Sequence, residues 1–315
     1  MRFSFVKCHG SGNDFPLIDA REIILEDARW AYVARVLADR AGPVGGDGLL
    51  LMTAGDAERP IGFRMFNGDG SEAETCLNGL RCVARAGFEA LGVEAAGVRL
   101  ATSEAWVERD ADLAPGVYTV AETAGPASLD VSRWPLMAGA ARIVDAPVPP
   151  LGARRFTAVA IPNPHLVSFV DEVDEAELVR LGETCEAAPA WLPRRANVSF
   201  VIARGGELFV RTFERGVGLT NSCGSAMAAS TFAACLTGRL GYGETATVFN
   251  RGGLVRATAR DDGMVTVSGN ATFEWAGEVE VDMDGGPARD LVMTRRFDAE
   301  ADAWAALATR GAAFR

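Results

Sequence analysis

Histidine and lysine are the scarcest reactive side chains in this chain of 315 residues. The only histidines are His9 and His165, and the only lysine is Lys7. This scarcity nearly excludes a metal site built on several histidines. A Schiff base between a lysine and pyridoxal phosphate has a single candidate near the N-terminus. We therefore expect a protein that needs neither a metal nor a cofactor.

Long apolar runs are also missing. The first ten residues, MRFSFVKCHG, lack the apolar run of a signal peptide, and no segment approaches the roughly 18 uninterrupted apolar residues of a membrane helix. The formal net charge is −11 at pH 7, which argues against nucleic acid or an anionic membrane as the main partner. We expect a cytoplasmic protein that binds neither nucleic acid nor membrane.

The six cysteines do not have the pattern of a disulfide scaffold in a chain of this length. In a reducing compartment they are thiols. Cys82, Cys185 and Cys235 lie in apolar, helix-prone segments, where a cysteine usually acts as a small buried hydrophobic residue. We assign them that role, and Cys8 is open to the same interpretation.

Short β-prone segments dominate the sequence. Many of them alternate apolar and polar residues between Gly, Asp and Asn turns, as FTAVAIP and ELFVRTF do. Helix-prone segments such as AYVARVLADR are fewer. The pattern predicts an α+β fold with mostly antiparallel strands. The length suits two domains of about 150 residues each.

A weak internal repeat relates two segments, FNGDGSEAETCLNG at 66–79 and FERGVGLTNSCGSA at 213–226. Aligning Cys76 with Cys223 also aligns Phe66 with Phe213. In both copies a helix-prone segment follows the cysteine, and we expect the two helices to end at Gly92 and Gly241. The interpretation that we prefer is a duplicated domain in which each copy places one cysteine at a helix N-terminus.

A pair of cysteines at helix N-termini suits one type of reaction. Free N–H groups and the positive dipole end favour a thiolate and can hold a carboxylate. If the two turns faced each other, a thiolate could remove a proton α to a carboxylate while a thiol returned one from the opposite face. The same amides would stabilise the carbanion. Composition and the repeat alone leave a purely structural role for both cysteines open.

The segment GPVGGDG at 42–48 has the glycines of a phosphate-binding loop. It lacks the Lys and Ser/Thr that end such a loop. We interpret it as a tight loop without a phosphate ligand.

The chain resembles the diaminopimelate epimerase family. The resemblance rests on HGSGNDF (9–15), FNGDGSEAETCLNGLRCVAR (66–85), NPH (163–165), ANVSFV (196–201) and FERGVGLTNSCGSA (213–226), which occur in the family's order. It implies two pseudo-symmetric α/β domains, each with a mixed sheet around a central helix, and an active-site cleft between them. It also implies a cofactor-independent two-base conversion of LL-diaminopimelate to the meso form, a step in lysine and peptidoglycan synthesis.

The resemblance also implies roles for particular residues. Cys76 and Cys223 would be the catalytic pair. Asn13 would lie near the substrate, and Glu214 would face a substrate ammonium, with His165 as a supporting residue beside the pair. The positions implied for the distal end of the substrate are Asn67, Asn163, Asn197 and Arg215, and the backbone N–H groups implied for the reacting carboxylate are those of Leu77, Asn78, Gly224 and Ser225.

The expected domains follow from the repeat and the resemblance. Residues 1–124 would form the N-terminal domain, joined by a returning segment near 275–282. Residues 125–274 would form the C-terminal domain, and 283–315 an amphipathic helical extension of unknown role. A homodimer is left open.

Two departures from the family pattern leave the substrate open. Leu77 replaces the glycine of the usual CGNG, and Leu219 replaces the glutamate of the usual GxGET; Asn221 and Ser222 also differ. One alternative is a related racemase or epimerase of another amino acid. A second is a catalytically silent binding protein on the same fold. A third, a thiol redox protein, is disfavoured because the chain has no C-x-x-C motif.

Overall fold

The computed structural model describes residues 1–73 and 76–312. Contacts within the chain divide it into two compact units. The first unit combines Met1–Glu122 with Ser268–Thr309, and the second contains Thr123–Val267. The division expected from the sequence lies after 124, with the chain returning at 275.

The N-terminal part of the first unit is a mixed sheet with two helices. Its elements in chain order are β1 (Arg2–Gly10), β2 (Asn13–Asp19), α1 (Asp27–Ala38), β3 (Gly48–Ala54), β4 (Ile61–Asn67), β5 (Glu72–Ala73), α2 (Leu77–Leu91), β6 (Ala95–Arg99), β7 (Glu104–Asp110) and β8 (Thr119–Ala124). Strands β1 and β2 are antiparallel, β2 and β3 parallel, and β3 and β4 antiparallel. Strand β4 pairs with β6 in parallel and with β5 in antiparallel fashion, and β6, β7 and β8 continue antiparallel.

The second unit repeats this connectivity. Two short 3-10 turns (Val131–Arg133 and Pro149–Leu151) flank its first strand. Its elements in chain order are β9 (Ala146–Pro147), β10 (Arg155–Ala160), β11 (Pro164–Phe169), α3 (Glu175–Glu186), β12 (Asn197–Arg204), β13 (Glu207–Glu214), β14 (Gly218–Thr220), α4 (Gly224–Leu236), β15 (Thr245–Asn250), β16 (Gly253–Ala259) and β17 (Val265–Asn270). Strands β10 to β13 pair in the same alternation as β1 to β4. Strand β13 pairs with β14 and β15 as β4 does with β5 and β6.

Each unit surrounds one helix with strands. Helix α2 contacts β1, β2, β3, β4, β6 and β7, and α4 contacts β10, β11, β12, β13, β15 and β16. Every residue of α4 from Gly224 to Cys235 is buried, which agrees with its small, apolar sequence GSAMAASTFAAC. No helix in the described part of the chain combines the length and apolar composition needed to cross a bilayer. The predicted α+β fold, with a mixed sheet around a central helix, is confirmed.

The ends of the two central helices differ. Helix α2 ends as predicted at Gly92, whose φ of 68° is left-handed and whose N–H donates to Phe88 O at 2.9 Å. The prediction that the second helix reaches Gly241 is wrong, because α4 ends at Leu236. Gly238 takes the left-handed conformation, with φ 72°, and so turns the chain away earlier.

The C-terminal segment belongs to the first unit. It comprises β18 (Thr272–Glu280), β19 (Arg289–Arg296) and α5 (Asp298–Ala312), and β18 pairs with both β1 and β19. The expectation of a helical extension from 283 is wrong for β19, because this segment adds a strand to the hydrogen-bonding edge of β18. Helix α5 then buries Trp304 and Leu307 and joins Glu300 to Arg85 of α2, with Oε1 and Nη2 2.9 Å apart.

Close packing of α3 against β13 yields a stability prediction. A Cβ at Gly182 of α3 would overlap the ring of Phe213, just before the second cysteine turn. We expect Gly182→Ala to lower the free energy of unfolding by about 1–3 kcal/mol, since overpacking displaces the ring even though alanine favours helices. Urea unfolding followed by circular dichroism measures the change. Glu183→Ala, on the exposed side of the same helix, should change it by less than about 0.5 kcal/mol. A Gly182→Ala protein as stable as the parent would contradict the packing argument.

Candidate active site

Cys76 forms the N-cap of α2 and is half-buried. Its Sγ accepts a hydrogen bond from the N–H of Gly79 at 3.4 Å and lies 3.9 Å from Oδ1 of Asn13. A Cβ at Gly79 would lie 2.7 Å from Cδ2 of Leu50 and 3.4 Å from the sulfur. The last position of CLNG therefore needs glycine so that the helix can start against β3. The thiol lies where helical N–H groups have no intrahelical acceptor.

Asn13, Leu77 and Asn78, three other predicted site residues of the first unit, lie at the same helix start. Asn78 Nδ2 donates to Asn13 Oδ1 at 3.4 Å, and Leu77 is buried as the first residue of α2. Asn67, at the end of β4, instead donates from Nδ2 to Oγ of Ser71 at 3.0 Å. The described contacts of Asn67 therefore lie in the turn after β4.

A buried ion pair lies directly behind this helix start, and the sequence reasoning missed it. Arg81 donates from Nη2 to Asn78 Oδ1 at 2.7 Å and from Nη1 to Glu122 Oε1 at 2.7 Å. Both charged side chains are fully inaccessible to solvent. Burial raises the pKa of Glu122 to about 7, and the Arg81 guanidinium opposes that rise. The signal was present in CLNGLRC, since Arg81 follows Asn78 by three residues and shares its helix face.

Cys223 occupies the matching position in the second unit, as the N-cap of α4, and is buried. Its Sγ lies 3.5 Å from Oγ of Ser225. Burial raises the pKa of Cys223 well above its ordinary value, and the charge of Glu214 raises it further. Hydrogen bonds from Ser225 and the Ala226 N–H lower it by less. The expectation that a helix start lowers the thiol pKa is wrong here, because desolvation and Glu214 outweigh the hydrogen bonds that favour the thiolate.

A chain of polar side chains lies beside the second cysteine turn. His165 Nε2 is 3.1 Å from Asn163 Oδ1 and 3.4 Å from Asn197 Nδ2, because β11 and β12 pair His165 with Asn197. Asn197 Oδ1 accepts the backbone N–H of Arg215 at 2.8 Å. Burial lowers the pKa of His165 to about 3, and the charge of Arg215 contributes to this. The imidazole is therefore neutral at neutral pH.

Two charged residues, Glu214 at the end of β13 and Arg215 after it, are predicted to bind the substrate. Glu214 accepts a hydrogen bond from Oγ1 of Thr220, on the neighbouring strand β14. The Arg215 guanidinium donates from Nη1 to the carbonyl oxygen of Arg194 at 3.2 Å. The end of β13 thus places the Glu214 carboxylate where it acts on Cys223, and the next residue, Arg215, is bonded through its backbone to Asn197.

A small recess beside Cys223 contains residues that the sequence reasoning did not select. Its lining consists of Val210, Thr212, Thr220, Asn221, Ser222, Cys223, Met227 and Asn250. Asn250 Nδ2 donates to Ser222 Oγ at 3.0 Å, and its buried Oδ1 has no hydrogen-bond partner. Asn250 ends β15, far from the cysteine motif in sequence, so only the strand pairing brings it here.

Comparison with known protein families shows which family the chain belongs to. The family model for diaminopimelate epimerase matches residues 5–109 and 157–274. The chain belongs to the diaminopimelate epimerase family. It is therefore an isomerase, and the resemblance noted from its motifs is confirmed.

Curated members of the diaminopimelate epimerase family match most of the chain. The diaminopimelate epimerase of Clostridium acetobutylicum is 38% identical over 290 residues, which covers 90% of this chain and 87% of that protein. The diaminopimelate epimerase of Bacillus cereus strain B4264 is 34% identical over 287 residues, covering 86% and 94%.

Solved structures share the fold of this diaminopimelate epimerase family member. A predicted epimerase from Pseudomonas aeruginosa has a TM-score of 0.65 at 17% identity and covers 89% of this chain and 100% of its own. A hydroxyproline epimerase from Agrobacterium vitis, solved with trans-4-hydroxy-L-proline, has a TM-score of 0.60 at 14% identity and covers 98% of each chain. At these identities the likeness concerns the fold alone.

The two departures from the family motifs occupy defined places. Leu77 is buried at the start of α2, where its backbone N–H stays at the helix end. Leu219 lies on β14 opposite Phe213 and packs against the core of the second unit. Leu219 therefore contributes apolar packing at the position where the family carries a carboxylate.

Two buried histidines make stability depend on pH. Burial lowers the pKa of His9 to about 4 and that of His165 to about 3, from 6.5. Below pH 6.5 the unfolded chain binds protons that the folded chain does not, so this stability is complete above pH 6.5 and is lost as pH falls toward 4 and 3. We expect a loss of about 1.4 kcal/mol per histidine by pH 5.5, measured by urea unfolding. His9→Gln and His165→Gln should each remove one histidine's part of this pH-dependent loss of stability. An unchanged pH dependence in the double variant would contradict the assignment.

Exposure and burial also predict which cysteine reacts first. Cys76 is the only half-buried cysteine, and the other five are buried. Burial raises the pKa of Cys223, and raises those of Cys185 and Cys235 to about 12 and about 11. We expect brief treatment with iodoacetamide at pH 7 to modify Cys76 first, as read by peptide mass spectrometry. In urea all six should react alike. Earlier modification of Cys223 would show that its thiol is neither buried nor held protonated.

Proposed function

We propose that this protein converts LL-diaminopimelate to the meso form by a two-base mechanism that uses Cys76 and Cys223 and no cofactor. The observation that carries the proposal is the repeated placement of a cysteine at the N-cap of the central helix in each unit. Membership of the family and the names of relatives at 34–38% identity support the substrate. The product would serve lysine and peptidoglycan synthesis.

In the proposed reaction, one cysteine thiolate removes the α-proton from one face of the substrate. The α-carbon–hydrogen bond breaks and an S–H bond forms. The other cysteine gives its thiol proton to the opposite face, so configuration inverts and the negative charge ends on the second sulfur. The reverse reaction exchanges the roles. The N–H groups at both helix starts would hold the carboxylate and stabilise its developing charge.

The surroundings of Cys223 favour a resting enzyme in which this thiol carries the proton. Its burial and the charge of Glu214 both favour the protonated thiol. We therefore assign Cys223 as the proton donor of the resting enzyme and Cys76 as the base. After one turnover in this direction the sulfur of Cys223 carries the negative charge, which Glu214 disfavours, and this favours the return of a proton to it.

Specificity would come from the polar chain in the second unit. Asn163, Asn197 and Arg215 offer donors and acceptors for the distal amino-acid end of diaminopimelate, with Asn67 contributing from the first unit. Glu214 would attract a substrate ammonium. A neutral His165 that donates from Nε2 to Asn163 Oδ1 and accepts at Nδ1 from Asn197 Nδ2 would hold both amide groups in place.

A second candidate is epimerisation of a different amino acid by the same two cysteines. The observation that favours it is Leu219, which packs into the core at a position where the family usually has a glutamate. Leu77 adds bulk beside the expected carboxylate site. A catalytically silent binding protein is the remaining alternative, and the presence of both cysteines argues against it.

Hydrogen exchange in D₂O separates these functions. The reduced protein is incubated with LL-diaminopimelate, and separately with single amino acids, and followed by NMR. We expect deuterium at the α-carbon of diaminopimelate together with formation of the meso isomer. Cys76→Ala and Cys223→Ala should each reduce turnover at least about a hundredfold, because each thiol serves one face.

The matched control is Cys235→Ala, which removes a buried cysteine on the same helix as Cys223. It should retain activity, since Cys235 lies at the far end of α4. Full activity in either catalytic variant would refute the two-base mechanism. Exchange confined to another amino acid would mean that this amino acid, and not diaminopimelate, is the substrate. No exchange by protein with free thiols would favour the binding protein.

A further inference from the structure

The side-chain amide of Asn13 is held from both ends. Its Nδ2 donates to Oδ2 of Asp47, and its Oδ1 accepts from Nδ2 of Asn78 at 3.4 Å. Asp47 lies in the GPVGGDG loop, for which the sequence reasoning found no ligand. The same Asp47 Oδ2 accepts the backbone N–H of Asp14 at 3.1 Å. The loop is thus tied to Asn13, whose side-chain oxygen lies beside the Cys76 sulfur.

Asp47 is itself fixed by a charged network. Arg40 donates from Nη2 to Asp47 Oδ1 at 2.6 Å and to Asp14 Oδ1 at 2.7 Å. Lys7, which is buried, pairs with Asp14. The backbone N–H of Asp47 donates to Asp14 O at 2.8 Å, which closes the loop onto β2. Both oxygens of the Asp47 carboxylate therefore have assigned donors.

The Asn78 amide is fixed by the buried ion pair. Arg81 donates to Asn78 Oδ1, and Glu122 and the Asn270 carbonyl oxygen, 2.7 and 3.2 Å away, hold the guanidinium. A guanidinium only donates, so the oxygen of Asn78 must face Arg81 and its nitrogen must face Asn13. A carboxylate only accepts, so the nitrogen of Asn13 must face Asp47. Two independent constraints require the same orientation of the Asn13 amide.

We infer that Asp47 and Arg81 are positioning residues that fix the Asn13 and Asn78 amides and so direct the carbonyl oxygen of Asn13 at the Cys76 thiol. The Asn13 oxygen lies 3.9 Å from Sγ. A carbonyl oxygen accepts the S–H hydrogen bond, whereas an amide N–H would stabilise the thiolate. The Asn13 oxygen thus opposes the Gly79 N–H, which favours the thiolate, and keeps the Cys76 thiolate basic enough to remove a weakly acidic α-proton. The inference rests on the proposed function only for the role of Cys76.

The first test asks which end of the Asn13 amide faces Cys76. The chain has eight asparagines and no glutamine, so its side-chain NH₂ spectrum is simple. In ¹⁵N-labelled protein we expect no nuclear Overhauser contact between the Asn13 NH₂ protons and the Cys76 β-protons. Asp47→Asn removes the closer of the two constraints and leaves only the 3.4 Å contact from Asn78, so the amide should turn and produce that contact. Asp47 is partly exposed, so the variant should fold, as checked by circular dichroism.

The second test follows Cys76 alkylation against pH in a Cys223→Ser background. Asp47→Asn should move the midpoint down by about one pH unit, a roughly tenfold faster reaction below the midpoint. Asp14→Asn is the charge-matched control, because it removes a negative charge from the same Arg40 network without touching the Asn13 amide. It should shift the midpoint much less and produce no new contact.

Turnover supplies the third readout. With Cys223 intact, Asp47→Asn should lower kcat at least about tenfold and change KM less, since orientation at the reacting group is lost. A folded Asp47→Asn protein with an unchanged midpoint and no new contact would overturn the inference, as would an equal shift in the charge-matched control. If the parent protein fails to epimerise diaminopimelate while the midpoint and contact change as expected, the proposed function fails and the positioning role stands.

Discussion

The structure depends on enclosing one central helix of each unit in strands. Helix α4 is buried from Gly224 to Cys235, and α2 is exposed only in its last turn, from Glu89 to Leu91. Only the N-terminal turn combines an open position with unsatisfied N–H groups and a positive dipole end. Cys76 and Cys223 occupy that position in the two units, and the polar residues of each unit gather around it.

Burial and the helix dipole act in opposite directions on a thiol at such a position. The dipole favours the thiolate, and desolvation favours the neutral thiol. At Cys223 desolvation is the largest influence on the pKa, and the neighbouring Glu214 carboxylate acts in the same direction. Two cysteines in matching positions of a repeat therefore need not have matching protonation, because the balance depends on how deeply each one is buried. Such a difference suits a reaction that needs one acid and one base at the same moment.

The buried side chains of Arg81 and Glu122 stabilise the first cysteine turn through the amide of Asn78. Arg81 and Glu122 are fully buried, yet the guanidinium makes hydrogen bonds to a side chain, a backbone carbonyl and the carboxylate. A buried guanidinium with these acceptors fixes the orientation of the neighbouring Asn78 amide, which has no charge of its own. The second unit achieves a similar result with a neutral histidine between two asparagines. The two halves of the repeat thus share the cysteine at the helix start. They differ in the groups that fix the neighbouring amides, which are a buried ion pair in the first unit and a neutral histidine in the second.

The sequence by itself determined the class of fold, the duplication, the two cysteine turns and the family, because alternating apolar residues, glycine turns and short motifs are local features of the chain. It also indicated the helix end at Gly92. The tertiary structure alone decided the protonation of Cys223, the place of β19 and the contacts of Asn250 and Asp47. These depend on desolvation and on strand pairing between distant segments, and such quantities exist only once the chain has closed around its central helices.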